Sequence, residues 1–158
     1  MIKYLCFLLF NTCYLFSSID HSFLAVGGGY FFAGQNHSSE LWEIKYFDAK
    51  KIYNIITPQL SIISPRLHSI FVGIGLGVEI PVFTKMLLIP NFSPGIYFPY
   101  HGKNLGSPLE FLSAIELFYL FNNGFRLGVQ FFHISNASIS QRNPGANAAL
   151  LLIATPLP

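Results

Sequence analysis

Charge is scarce in this sequence. Only 10% of its 158 residues are Asp, Glu, Lys or Arg, while 52% are hydrophobic and 16% aromatic. An ordinary soluble domain carries roughly one-quarter charged residues, enough to cover its surface. A chain this poor in charge suits a surface that faces lipid. Long hydrophobic runs are missing too: beyond the N-terminus no stretch reaches the roughly 18 uncharged apolar residues of a spanning helix. Cysteine is confined to Cys6 and Cys13, so the rest of the chain has no disulfide and no thiol chemistry. Basic clusters are absent and the net charge is only +2, which leaves no footprint for nucleic acid. The histidines, His21, His37, His68, His101 and His133, are scattered without metal-ligand spacing, and no metal or cofactor is expected. What remains for an apolar, helix-poor chain in a membrane is a closed β-barrel.

Residues 1–20 read as a signal peptide. Lys3 supplies the positive start, and residues 4–16 form an apolar core too short to span a bilayer. Residues 21–158 then form the barrel domain. They divide into eight strand-like runs: 23–33, 39–48, 55–64, 67–80, 85–97, 109–121, 125–135 and 146–157. Pro58 weakens the start of the third run, and Pro90 and Pro94 interrupt the fifth. Their length, about ten residues, suits tilted transmembrane strands.

The faces alternate. Ile70, Val72, Ile74, Leu76 and Val78 oppose Gly73, Gly75, Gly77 and Glu79. Trp42, Ile44 and Tyr46 oppose Glu43 and Lys45. Phe111, Ile115, Leu117 and Tyr119 oppose Glu110 and Glu116. Phe125, Leu127, Val129 and Phe131 oppose Arg126, Gly128 and Gln130. This dyad pattern, apolar outside and small or charged inside, specifies an eight-stranded antiparallel transmembrane β-barrel. Glu43, Lys45, Glu79, Glu110, Glu116 and Arg126 would form a polar network in its lumen. Trp42, Tyr30, Tyr97 and Tyr100 would join aromatic girdles. Gly27, Gly28 and Gly29 lie inside a strand and mark close backbone approach rather than a phosphate loop. Asn122-Asn123-Gly124 is a tight hairpin signal; residues 97–108 form a longer loop.

One segment concentrates chemistry. In Phe131-Phe132-His133-Ile134-Ser135-Asn136-Ala137-Ser138 a general base and a hydroxyl stand two residues apart, on one face of a strand. An imidazole there can take the proton of the hydroxyl. Both share the parity of Phe125 to Phe131, so both face lipid, where polar groups are costly. With both chain ends in the periplasm, the seventh strand ends at the external side, at the level of the outer leaflet.

The segment His133-Ile134-Ser135-Asn136, followed by Asn143-Pro144-Gly145, resembles the active site of the outer-membrane lipid A 3-O-deacylases, the PagL family. Leu109-Glu110-Phe111 with Glu116, and residues 124–128, are similar to the family's neighbouring strands. The resemblance implies an eight-stranded barrel that hydrolyses the acyl ester at position 3 of lipid A in the outer leaflet. It implies Ser135 as nucleophile, His133 as general base, Asn136 with the backbone N–H of Ser138 at the oxyanion, and Asn143 as a further loop contact. The family carries a glutamate twelve residues after the serine. Here Asn147 stands in that position. An asparagine can orient a histidine but cannot stabilise an imidazolium by charge.

Three readings stand at this point. The first is an ester hydrolase of lipid A in the outer membrane, acting on lipopolysaccharide without a cofactor; whether it pairs as a homodimer is open. The second is an inactive surface barrel, because the acid is missing. The third is a soluble lipocalin-like binding barrel, which differs from the other two in needing no detergent.

Overall fold

The computed structural model describes residues 21–33, 38–65 and 69–158. The expected signal peptide, with Cys6 and Cys13, lies outside the described residues, as do His37 and His68. The described chain is built of strands: β1 (Phe23–Phe32), β2 (Ser39–Phe47), β3 (Ile56–Pro65), β4 (Ile70–Val78), β5 (Ile80–Phe83), β6 (Met86–Phe98), β7 (Leu109–Leu120), β8 (Arg126–Ser135) and β9 (Ala146–Pro156). Pairing is antiparallel throughout, and β1 pairs with β9 while β4 pairs with β6. Both β4 and β5 pair with β6, so they act as one interrupted strand. The result is a closed eight-stranded antiparallel β-barrel. Among the described residues no helix is long and apolar enough to cross a membrane.

The fourth and fifth expected runs differ in detail from these strands. The fourth breaks at Glu79 and resumes as β5, whereas β6 runs unbroken through Pro90 and Pro94. One cause accounts for both. The β4–β6 register, continued from Gly77 opposite Asn91, sets Pro90 against Val78. Proline has no N–H to donate, so the ladder lapses on the β4 side there. On the other side Pro90 and Pro94 keep their places opposite Ile115 and Phe111 of β7, and that ladder carries β6 through.

Closure rests on a tight seam between β1 and β9. Gly29 pairs with Leu150, and a Cβ on Gly29 would come within 2.0 Å of the Ala149 carbonyl oxygen. Only glycine fits there. The turn between β7 and β8 uses Gly124 at φ +86°, with Phe121 and Phe125 bonded across it.

The pleat sorts the side chains as the alternation requires. Trp42, Ile74, Leu76, Val129 and Phe131 are exposed on the outer wall, while Glu43, Lys45, Glu110, Glu116 and Arg126 are buried inside. Tyr30 and Phe32 meet edge to face at one end, and Tyr119 and Phe121 at the other. Tyr97 departs from the expected girdle. It is 2% exposed, inside the barrel, and its hydroxyl donates to the Lys103 carbonyl at 2.8 Å. Its neighbours Ile96 and Phe98 take the outward face instead.

The lumen is filled. One apolar cluster, including Phe71, Leu105, Phe132 and Ile134, fills the end bearing loops 99–108 and 136–145; another, around Phe47, Phe118 and Leu152, fills the opposite end. Between them Lys45 bonds Glu116 and lies 3.1 Å from Glu43, and Asn91 donates to Glu116 at 3.0 Å. Gln130, with its amide turned to suit its neighbours, bridges Glu43 and Lys45. Arg126 and Lys51 form a separate cluster with Glu79 near the opposite end. Glu110 belongs to neither cluster.

Lys45 is fully buried with two carboxylates, so removing it leaves their charge uncompensated. Lys45→Met is expected to cost about 3–5 kcal/mol. The temperature at which the fast-migrating folded band converts to the unfolded one on a gel should fall. The double variant Lys45→Met/Glu116→Leu should recover part of that loss.

Candidate active site

His133 and Asn147 are directly opposed in the β8–β9 register, two residues above Phe131 and Ala149. Odd-numbered residues of both strands point outward, so the two polar side chains meet on the lipid-facing wall. His133 Nδ1 and Asn147 Oδ1 are 2.8 Å apart. A carboxamide oxygen only accepts, so Nδ1 carries the proton and Nε2 presents a lone pair. Ser135 lies two residues further along the same face, half-buried at the end of β8. On β7 the facing residues are Ser113, opposite His133, and Phe111, opposite Ser135; Phe111 stacks on Phe92 at 5.8 Å.

Directly after Ser135 the chain turns sharply. Ala137 and Ser138 sit at φ 52° and 63°, and the Ile139 N–H returns to the Asn136 carbonyl at 3.0 Å. Two successive non-glycine residues in the left-handed region cost about 1–2 kcal/mol each and persist only where neighbours hold them. Asn143 is such a neighbour. Its Oδ1 accepts from the Asn136 N–H at 3.0 Å, and its Nδ2 reaches Ser138 Oγ at 3.4 Å.

Asn136 takes the inward face and is fully buried. Its Nδ2 donates to the carbonyls of Leu105 and Arg142, at 2.9 and 2.8 Å, and reaches Ser140 Oγ at 3.2 Å. Its side-chain donors therefore clamp loops 99–108 and 136–145 together.

Two contacts were not legible from spacing. Gly145, at φ +55°, backs the imidazole: a Cβ there would lie 2.8 Å from His133 Cε1 and 3.2 Å from Nε2. Lys103, 42 residues away in sequence, donates to the Gly145 carbonyl at 2.7 Å. Burial, and then the charge of Arg142, hold the Lys103 ammonium below the ordinary lysine pKa. The glycine stood in a visible Asn-Pro-Gly turn, but nothing in the sequence linked Lys103 to it. Among the described residues no three His, Cys, Asp or Glu side chains come together to hold a metal ion.

Below the His133–Asn147 pair a groove of about 710 Å³ runs over the outer wall. Gly28 and Ala149 form its low floor, and Tyr30, Val129, Phe131 and Leu151 stand along it. Phe131 and Ala149 are one outward step from His133 and Asn147, about 7 Å along the strands.

The family model of the lipid A 3-O-deacylases, described as "Lipid A 3-O-deacylase (PagL)", matches residues 27–156. The chain belongs to this family. The fold agrees: a crystal structure of the outer membrane enzyme PagL superimposes with a TM-score of 0.63 at 20% identity, covering 85% of this chain and 99% of that one. A de novo designed transmembrane β-barrel follows with a TM-score of 0.60 at 11% identity, covering 89% and 98%. Neisserial surface protein A gives 0.54 at 8%, covering 84% and 94%. No curated protein matches the sequence. As a PagL-family barrel, the protein is integral to the outer membrane of Gram-negative bacteria.

Gly145→Ala tests the seat of the ring. The added methyl would meet His133 Cε1 and strain the backbone, at a cost of about 1–2 kcal/mol. The nitrogen chemical shifts of the His133 ring are expected to change as its bond to Asn147 is lost, while the folded band on a gel persists.

Proposed function

We propose that the protein is a carboxylic-ester hydrolase that removes the acyl chain ester-linked at the 3-O position of lipid A, in the outer leaflet. The observation that carries this reading is the His133–Asn147 hydrogen bond on the lipid-facing wall, with Ser135 two residues along. Polar side chains have little reason to stand there unless they work on a lipid.

Asn147 fixes the tautomer that leaves His133 Nε2 free. Nε2 takes the proton of Ser135 as Oγ attacks the ester carbonyl. The backbone N–H of Ser138, in the strained turn, receives the oxyanion; Asn136, whose N–H groups are taken by Leu105, Arg142 and Asn143, serves instead by holding the loops. The scissile acyl chain lies in the groove over Gly28 and Ala149. His133 then returns its proton to the departing sugar hydroxyl. Water, activated in the same way, splits the acyl-enzyme and releases a fatty acid. Asn143 and Gly145 serve by holding the turn and the ring.

The neutral Asn147 sets the rate. It orients His133 but offers no charge to the imidazolium. In a serine protease, exchanging the triad aspartate for asparagine lowers kcat about 10⁴-fold. This supports a slow enzyme, and it also favours the second reading, an inactive surface barrel.

Mass spectrometry of lipid A from cells expressing each variant separates them. Wild type should remove one 3-hydroxyacyl chain and Ser135→Ala none. Asn147→Glu should raise the rate, by up to about 10⁴-fold if the carboxylate is all that is missing. Unchanged lipid A with wild type, given folded protein in the outer membrane, would favour the inactive barrel.

A further inference from the structure

The loops around the site carry two cations. Loop 99–108 holds Lys103, loop 136–145 holds Arg142, and neither contains an acid; Glu110, two residues past the first loop, is buried inside the barrel. Among the described residues, no ion pair involves Lys103 or Arg142. Lys103 is nonetheless held in place: its Nζ donates to the Gly145 carbonyl at 2.7 Å, and Gly145 lies against the His133 ring. An ammonium therefore stands beside the site, partly withdrawn from water. Arg142 is exposed on the neighbouring loop, and its own carbonyl is gripped by Asn136 and Ser140. Asn136 Nδ2 bonds both the Leu105 and the Arg142 carbonyls, so the two loops meet within two residues of both cations; burial, and then Arg142, lower the Lys103 pKa. Like charges held together near a lipid surface destabilise the loops that hold them, unless an anion joins them.

We propose that Lys103 and Arg142 form an anion subsite that receives a phosphate group on the sugar headgroup of the lipid substrate. It rests on the reading of Ser135 and His133 as a lipid-ester site and adds what orients the substrate there. A phosphate suits the pair. A guanidinium fork meets two phosphate oxygens at once, and an ammonium meets a third as a point charge. The loops stand above the aromatic ends of the barrel, where lipid headgroups lie, and the groove leads the other way, into the hydrocarbon. Anion above and acyl chain below would fix one ester of a multiply acylated lipid over Ser135 and turn the others away.

The test is binding, read without turnover. Full-length Ser135→Ala protein, folded in neutral detergent, is titrated with two acylated glucosamine lipids that differ only in one phosphate, and occupancy is followed by native mass spectrometry. The phosphorylated lipid is expected to bind about tenfold more tightly, as one charge-assisted contact gives. Arg142→Gln in that background should abolish the preference, and Arg142→Lys should retain most of it. Equal binding of the two lipids would overturn the subsite. So would a preference untouched by both Arg142→Gln and Lys103→Gln in proteins that keep the folded gel band. Inorganic phosphate is the second arm. Competition at millimolar concentration identifies a seat for any phosphate. A lipid preference that survives it identifies one that works only as part of a headgroup. The two proposals fail separately. Unchanged lipid A with an intact phosphate preference removes the hydrolase and keeps the subsite. Turnover by wild type without the preference does the reverse.

Discussion

A backbone in hydrocarbon has no water to satisfy its N–H and C=O groups, and everything else in this protein follows from that constraint. A sheet in that solvent has to close. Here β1 meets β9 and β4 meets β6, so among the described strands only the short β5, paired with β6 alone, keeps an edge. Closure then leaves each residue one of two places, the lumen or the wall, and the pleat decides which. Lys45, Glu43 and Glu116 go inward, where they satisfy one another. Against that sorting, His133 and Asn147 on the wall are an exception, and the exception marks the site.

The site is assembled in two layers. Strands β8 and β9 supply the proposed reacting face, because their register sets His133 against Asn147. Loops supply the tension. Asn136 reaches inward to bind Leu105 and Arg142, Asn143 steadies two left-handed residues, and Gly145 backs the imidazole. The weak member is Asn147. A carboxylate would both aim the ring and share its positive charge; a carboxamide does only the first.

Much of this was legible in the sequence because period-two alternation survives almost every residue. The inward glycines of β4, the paired charges of β2 and the outward run from Phe125 to Phe131 each gave a face without reference to any other strand. The sharing of a face by His133 and Ser135 followed from the same counting. What escaped was whatever depends on a partner strand. Pro90 and Pro94 looked like interruptions, but a proline breaks the ladder on one side only, and β7 holds the other. Tyr97 looked like a girdle residue by type, yet its parity turns it inward onto the Lys103 carbonyl. The contact of Lys103 with Gly145 joins two loops across the barrel mouth, and no local pattern encodes it.

The seam between β1 and β9 has a bearing on timing. It joins residues more than a hundred positions apart in the chain, such as Gly28 and Leu151, and pairings of such long range tend to form late. The groove straddles that seam, with Gly28 on one side and Ala149 on the other. The His133–Asn147 bond likewise needs β9 docked on β8. A chain still in transit has the serine and the histidine but neither the aimed ring nor the furrow beneath it. Both exist only once the cylinder shuts.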